Sequence, residues 1–202
     1  MAVKRQLSYR RLQALATKER IARAARQLFA RRGYQSTRIE EIARAAGVAV
    51  PTFYATFGNK KAVLAEIRRL WLEESQVPKL WAEARVERDV RRRLELAARW
   101  TRYQLERGYD VITIYAEAAR TDPAMAKIWA AVLKERDGAI HRLVETLAGS
   151  LRAGLDAQTA VDLVWAIERP EIYQELVVTR GWSPEQYERW LAETLKHQLL
   201  GR

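Results

Sequence analysis

TRIEEIARAAGVAVPTFYATF, residues 37–57, decides how the chain is read. It divides into two short helices about the turn Ala46-Gly47-Val48. In the first, Ile39, Ile42, Ala43 and Ala46 follow the i, i+3, i+4, i+7 spacing that puts side chains on one buried face. Gly47 stands where that helix should stop, because glycine reaches φ > 0 at no steric cost. Pro51 falls in the first turn of the second helix, where a missing N–H does no harm. The pattern is a helix-turn-helix, a unit that places its second helix in the major groove of DNA.

The charge gathers around this stretch. The formal net charge is +11. Residues 1–60 hold 13 Lys and Arg against three acids (Glu19, Glu40 and Glu41), whereas residues 61–202 hold 23 against 22. A polycationic first third joined to a nearly neutral body is the electrostatic footprint of a nucleic-acid-binding head.

Upstream, residues 1–16 carry Lys4, Arg5, Arg10 and Arg11 without an acid. Two readings of this arm compete, a mobile tail and a segment that follows the DNA backbone or enters the minor groove. Thr17 is expected to cap a helix running to Arg32, with Ile21, Ala24, Ala25, Leu28 and Phe29 as its apolar stripe. Downstream, Asn59 caps a helix whose core face is Val63, Leu64, Ile67, Leu70 and Trp71.

Pro78 marks a break. A helix is expected from Val86 to Arg107, ended by Gly108, and a short apolar one around Val111–Tyr115. Asp122-Pro123 opens a long helix, Asp156 caps another, and Pro170 interrupts that helix or starts a separate piece. Ser183-Pro184-Glu185-Gln186 opens the last helix, which runs to Leu200. No segment shows sustained period-two alternation, so the expected fold is all-α. The expected division is a basic arm at 1–16, a DNA-binding domain at 17–60 and a helical domain at 61–202.

Composition narrows the function classes. Hydrophobic residues make up 49% of the chain, enough for a packed core. There is no apolar run near 18 residues and no signal-peptide core, and Cys is absent, so the cytoplasm is the expected compartment and no membrane partner is expected. His141 and His197 are the only histidines, and no Gly-rich phosphate loop is present. Neither a metal, nor a cofactor, nor catalysis is expected.

The pieces RIARAARQLFARRGY (20–34), TRIEEIARAAGV (37–48), PTFYATF (51–57) and NKKAVLAEI (59–67) resemble the DNA-binding domain of the TetR family of bacterial transcriptional regulators. The resemblance implies a homodimer with an N-terminal three-helix head and a C-terminal helical domain that binds a small-molecule effector and dimerises. It implies a repressor released from a palindromic operator. A corepressor-dependent regulator or activator of the same family, and a sequence-nonspecific architectural DNA binder, are the alternatives.

The reading helix, Ala49 to Phe57, has no charged residue, so it cannot use an arginine fork on guanine. Val50 and Pro51, at its N-terminal end, suit thymine methyl groups, and Thr52 offers a hydroxyl. Glu40 is a further candidate at a base edge, competing with a role as a solvated or ion-paired acid beside Arg44. The resemblance assigns Tyr54, Thr56 and Lys60 to phosphates, and Thr37 adds a hydroxyl and a helix end. Roughly 6–10 phosphate contacts would cost about 10³–10⁵ in affinity between 50 and 200 mM salt. In the second domain, Trp100, Tyr103, Ile112, Tyr115, Met125, Trp129 and Trp165 are the expected pocket residues, suited to an apolar or aromatic effector. Val161, Tyr187, Leu191, Leu195 and Leu199 are expected at the dimer interface.

Overall fold

The computed structural model describes residues 9–75 and 77–201, with the backbone alone at 77, 78, 81 and 85. In chain order the α-helices are α1 (Tyr9–Arg32), α2 (Ile39–Ala45), α3 (Val50–Phe57), α4 (Lys60–Glu74), α5 (Val77–Val86), α6 (Val90–Thr121), α7 (Pro123–Glu145), α8 (Ala157–Ile167), α9 (Pro170–Tyr173) and α10 (Pro184–Leu199). A π-helical segment, Gln174–Thr179, continues α9. Among the described residues the sheet-like pairing is a single antiparallel bridge between Leu151 and Leu200. The expected all-α fold is the one found.

Local signals behave as their chemistry requires. Gly47 takes φ 64° and Gly58, after the reading helix, φ 72°. Asn59 accepts the Ala62 N–H at 3.0 Å, Asp156 that of Thr159 at 2.9 Å, and Ser183 that of Gln186 at 3.1 Å.

Three expectations are corrected. The first helix is already formed at Tyr9, and Thr17 is interior to it. The run RRLQALA at 10–16 contains only good helix formers and nothing that stops a helix. Gly108 does not end a helix, since α6 runs unbroken through it for 32 residues. An interior glycine costs about 1 kcal/mol. Burial of Leu105, Val111, Ile114 and Tyr115 on either side outweighs that. The region marked as a break by Pro78 contains α5, with the proline in its first turn.

The described chain forms two compact units. The first extends to Trp71 and takes in Asp110–Ala126, the last part of α6 and the start of α7. Its core includes Ile21, Ala25, Phe29, Ile42, Phe53, Val63, Leu64 and Ile67. A buried acid joins two helices there: Glu66 is bound by Lys18 at 2.8 Å and Arg69 at 2.6 Å. Burial alone would raise its carboxyl pKa, but the bonds and charges of Arg69 and Lys18 outweigh burial and hold it below the ordinary value. The second unit comprises Leu72–Tyr109 and Lys127–Arg202. Its core includes Leu94, Ala98, Ile140, Val144, Val164 and Leu191.

Candidate nucleic-acid interface

The reading helix is fixed by what it buries. Phe53 is fully buried, with its ring edge-on to Tyr54 at 5.8 Å and tilted against Phe57 at 5.9 Å. That anchoring turns Pro51, Thr52, Tyr54 and Ala55 outward and leaves Val50 half-buried. The outward surface of α3 is uncharged. Thr56 donates its hydroxyl to the Thr52 carbonyl at 2.7 Å.

The cations around α3 fall into two groups. Arg23 pairs with Glu19 at 2.7 Å, Arg32 with Glu41 at 2.6 Å, and Arg26 with Asp110 through two bonds of 2.7 Å. Arg38 and Arg44, at the two ends of α2, are exposed and form no ion pair at bonding distance among the described residues. Glu40 is likewise exposed and is not paired with Arg44. The sequence pattern places Arg44 beside a solvated or ion-paired Glu40 and gives Arg38 no role. The signal for both was their place inside the motif, as the two arginines of residues 37–57.

Thr37 and Lys60 turn inward. Thr37 is 1% exposed and donates its hydroxyl to the Gly33 carbonyl at 2.8 Å. The Lys60 ammonium donates to the carbonyls of Tyr34 (2.9 Å), Thr37 (3.0 Å) and, more weakly, Gln35 (3.4 Å). It also lies 4.7 Å from the centre of the Tyr34 ring. Burial lowers its pKa, opposed by the charge of Glu117.

The segment Asp110–Ala126 holds the head at several points within the first unit. Besides Asp110, Glu117 Oε1 accepts the Tyr34 N–H at 3.0 Å, Tyr115 Oη donates to the Leu64 carbonyl at 2.9 Å, and Asp122 meets Lys61 at 3.2 Å. Gln35 Nε2 donates to Thr121 Oγ1.

The chain matches the model of bacterial regulatory proteins of the tetR family over residues 21–67, which contain α2, α3 and parts of α1 and α4. It is 31% identical over 158 residues to the HTH-type transcriptional regulator YdgC of Bacillus subtilis (strain 168), an alignment covering 75% of this chain and 77% of that protein. The chain belongs to the TetR family. It is a DNA-binding transcriptional regulator. Solved TetR-like structures share the fold. A transcriptional regulator from Saccharomonospora viridis, solved in complex with choline, aligns with a TM-score of 0.73 at 24% identity, covering 93% of this chain and all of that one. NalD, the secondary repressor of the MexAB-OprM multidrug efflux pump in Pseudomonas aeruginosa, aligns with a TM-score of 0.71 at 22% identity, covering 94% and 98%. No helix among the described residues is long and apolar enough to cross a membrane.

The residues expected in an effector pocket divide between the units. Ile112, Tyr115 and Met125 belong to the first, where Met125 is fully buried and the Tyr115 hydroxyl is bonded to Leu64. Trp100, Tyr103, Trp129 and Trp165 belong to the second and are half-buried. Tyr103 lies under the guanidinium groups of Arg102 at 4.1 Å and Arg107 at 5.0 Å. Trp165 lies under Arg136 at 4.3 Å and donates Nε1–H to Asp137 at 2.7 Å.

Two features of the second unit were missed in the sequence. Glu168 is 3% exposed, accepts the Thr101 hydroxyl at 3.0 Å, and has its backbone carbonyl bound by Arg136 at 2.7 Å. Arg102 is tied to Glu188 at 3.0 Å and Glu106 at 2.6 Å, joining α6 to α10.

The expected interface residues are placed differently from that expectation. Val161, Tyr187, Leu191, Leu195 and Leu199 are all at most 2% exposed in the single chain. They are the core face of α8 and α10 within the single chain. Apolar residues at four-residue spacing mark a buried face without saying whose core it joins.

Proposed function

We propose that the chain is a homodimeric cytoplasmic repressor, released from a palindromic operator by a small-molecule effector. The observation that carries this reading is the make-up of the first compact unit. The DNA-binding head shares that unit with Asp110–Ala126, a segment outside the helix-turn-helix, through Arg26–Asp110, Tyr34–Glu117 and Tyr115–Leu64. The same helix α6 begins in the second unit. An effector that binds better to a state with these bonds altered shifts the head away from its DNA-competent form. The choline complex of one relative and the repressor role of NalD support a ligand-responsive repressor.

In this reading Val50, Pro51 and Thr52 meet base edges, with Glu40 at the margin of the half-site. Tyr54, Thr56, Arg38 and Arg44 face phosphates. Trp100, Tyr103, Trp129 and Trp165 are the candidate effector contacts, suited to an apolar or aromatic ligand with or without a cationic end. The test is titration of the operator complex with a panel of such compounds, followed by fluorescence anisotropy. A compound that binds and lowers operator affinity is the expected result. A compound that raises it makes the chain a corepressor-dependent regulator.

A further inference from the structure

We propose that Thr101, Glu168 and Tyr187 form a subsite of the second unit that takes the protonated nitrogen of an aromatic amine. The proposal rests on the reading of the chain as an effector-responsive regulator, and it names the charge of the effector.

Glu168 is an acid in an unfavourable place. It is 3% exposed and stands at the C-cap of α8, the end where helix carbonyls concentrate negative charge. Its Oε1 accepts the Thr101 hydroxyl at 3.0 Å, and its Oε2 accepts no hydrogen bond among the described residues. Arg136 does not pair with the carboxylate. Its Nη2 donates to the Glu168 backbone carbonyl at 2.7 Å, and its guanidinium lies over the Trp165 ring at 4.3 Å. Burial outweighs both the charge of Arg136 and the Thr101 hydroxyl. A carboxylate in a protein core is ordinarily matched by a cation or by donors to both oxygens.

Tyr187, on α10, gives a second and independent sign. It is fully buried, yet its hydroxyl has no hydrogen-bond partner among the described residues. A buried tyrosine hydroxyl usually finds one. Burial and then the charge of Glu168 raise its pKa, so the hydroxyl lies in the field of that carboxylate. The ring is packed edge-on to Tyr173 at 5.0 Å and tilted against Trp190 at 5.7 Å. Two unfilled hydrogen-bonding groups thus come from separate helices, and all of these residues belong to the second unit.

An N–H cation fills both. A protonated amine has donors for Glu168 Oε2 and for the Tyr187 oxygen, and its charge offsets that of the buried carboxylate. An anion would be repelled by the carboxylate and by the negative end of α8. A neutral alcohol donates one bond and leaves the charge unmatched. Trp165 precedes Glu168 by about one helical turn and is half-buried, which gives the aromatic body a surface to pack on.

The experiment is calorimetric titration of the full-length protein with phenethylamine, its neutral isostere phenethyl alcohol and the anion hydrocinnamate. The wild type, Glu168→Gln and Tyr187→Phe are compared, each first checked by circular dichroism. The wild type is expected to bind the amine at least about tenfold more tightly than the alcohol, with hydrocinnamate weakest. Glu168→Gln is expected to lower amine affinity about tenfold and to leave alcohol affinity within about twofold; Tyr187→Phe is expected to lower amine affinity about threefold. Equal affinity for amine and alcohol, a preference for hydrocinnamate, or an amine preference that survives Glu168→Gln would overturn the proposal. So would the absence of amine binding at millimolar concentration. If Glu168→Gln does not fold, the wild-type ranking and Tyr187→Phe decide. The amine is then titrated into the complex with a selected operator. Glu168-dependent binding with unchanged operator affinity would leave the subsite standing and overturn the ligand-released reading instead.

Discussion

Arg26 grips Asp110 with two parallel bonds, Nε to Oδ2 and Nη2 to Oδ1, each 2.7 Å long and spanning 84 positions of the chain. Such a fork fixes orientation as well as distance. The Arg26 side chain is 22% exposed and that of Asp110 35%, so solvent weakens the pair without removing it. A double-mutant cycle with Arg26→Gln and Asp110→Asn, read by urea unfolding, is expected to give a coupling energy of about 1 kcal/mol. Additive losses would mean that the two groups do not support one another.

Gly33 cannot be replaced without strain. At φ 84°, a side chain would meet Glu117 Oε1 at 2.7 Å. The carboxylate can swing aside, but it then releases the Tyr34 amide. Left-handed backbone at a non-glycine residue costs about 1–2 kcal/mol, and the lost bond adds to that. Gly33→Ala is therefore expected to lower stability by about 2 kcal/mol, measured by thermal unfolding. A neutral substitution would contradict this account of the turn.

Glu168 makes stability depend on pH. Burial pushes its carboxyl to about 7, with the charge of Arg136 and the Thr101 hydroxyl opposing. The ordinary value is 4.5, so between these pH values the folded protein keeps a proton that the unfolded chain has released. The contribution is complete below the ordinary value and is lost as pH rises through about 7. Glu66 has the opposite sign: its stabilisation is present at neutral pH and is lost on acidification. The two are separated by comparing variants. Glu168→Gln is expected to remove a loss on the order of 3 kcal/mol between pH 5 and pH 8, seen by urea unfolding at both. Equal pH slopes in wild type and variant would show that Glu168 does not titrate in this range.

Arg44 and Val50 separate affinity from specificity. Arg44→Ala is expected to weaken binding to all sequences alike and to reduce the salt slope by about 0.9 per head. Val50→Ala is expected to leave the slope unchanged and relax preference at one base position of each half-site. Selected-sequence logos and salt titrations of the two variants check both. An unchanged logo for Val50→Ala would remove that residue from the base-reading set.

The head was legible in the sequence because its signals are local. Gly47, Pro51, Asn59 and the spacing of Ile39, Ile42 and Ala46 act over one or two turns, and the structure keeps each of them. The inward turn of Lys60 was not legible. Its position at the start of α4 says that it lies beside the α1–α2 turn, but not that three carbonyls converge on it. Gly108 misled because a helix breaker was weighed without the buried stripe on both sides of it. Leu191, Leu195 and Leu199 show a further limit, since four-residue spacing is the same for a subunit core and for a surface shared with a partner. Glu168 carries no sequence signal, because nothing in its neighbours predicts an acid buried beside Thr101 and Arg136.

The central claim is that an uncharged reading helix, held by a basic head, selects a palindromic operator. The most direct measurement is selection of bound DNA from a random pool, followed by the ratio of operator to random-DNA affinity at one salt concentration. The expected result is a two-fold symmetric sequence with half-sites about one helical turn or a multiple apart, bound at least about 10³-fold more tightly than random DNA. A pool that shows no enriched sequence, with a ratio near one, would contradict it.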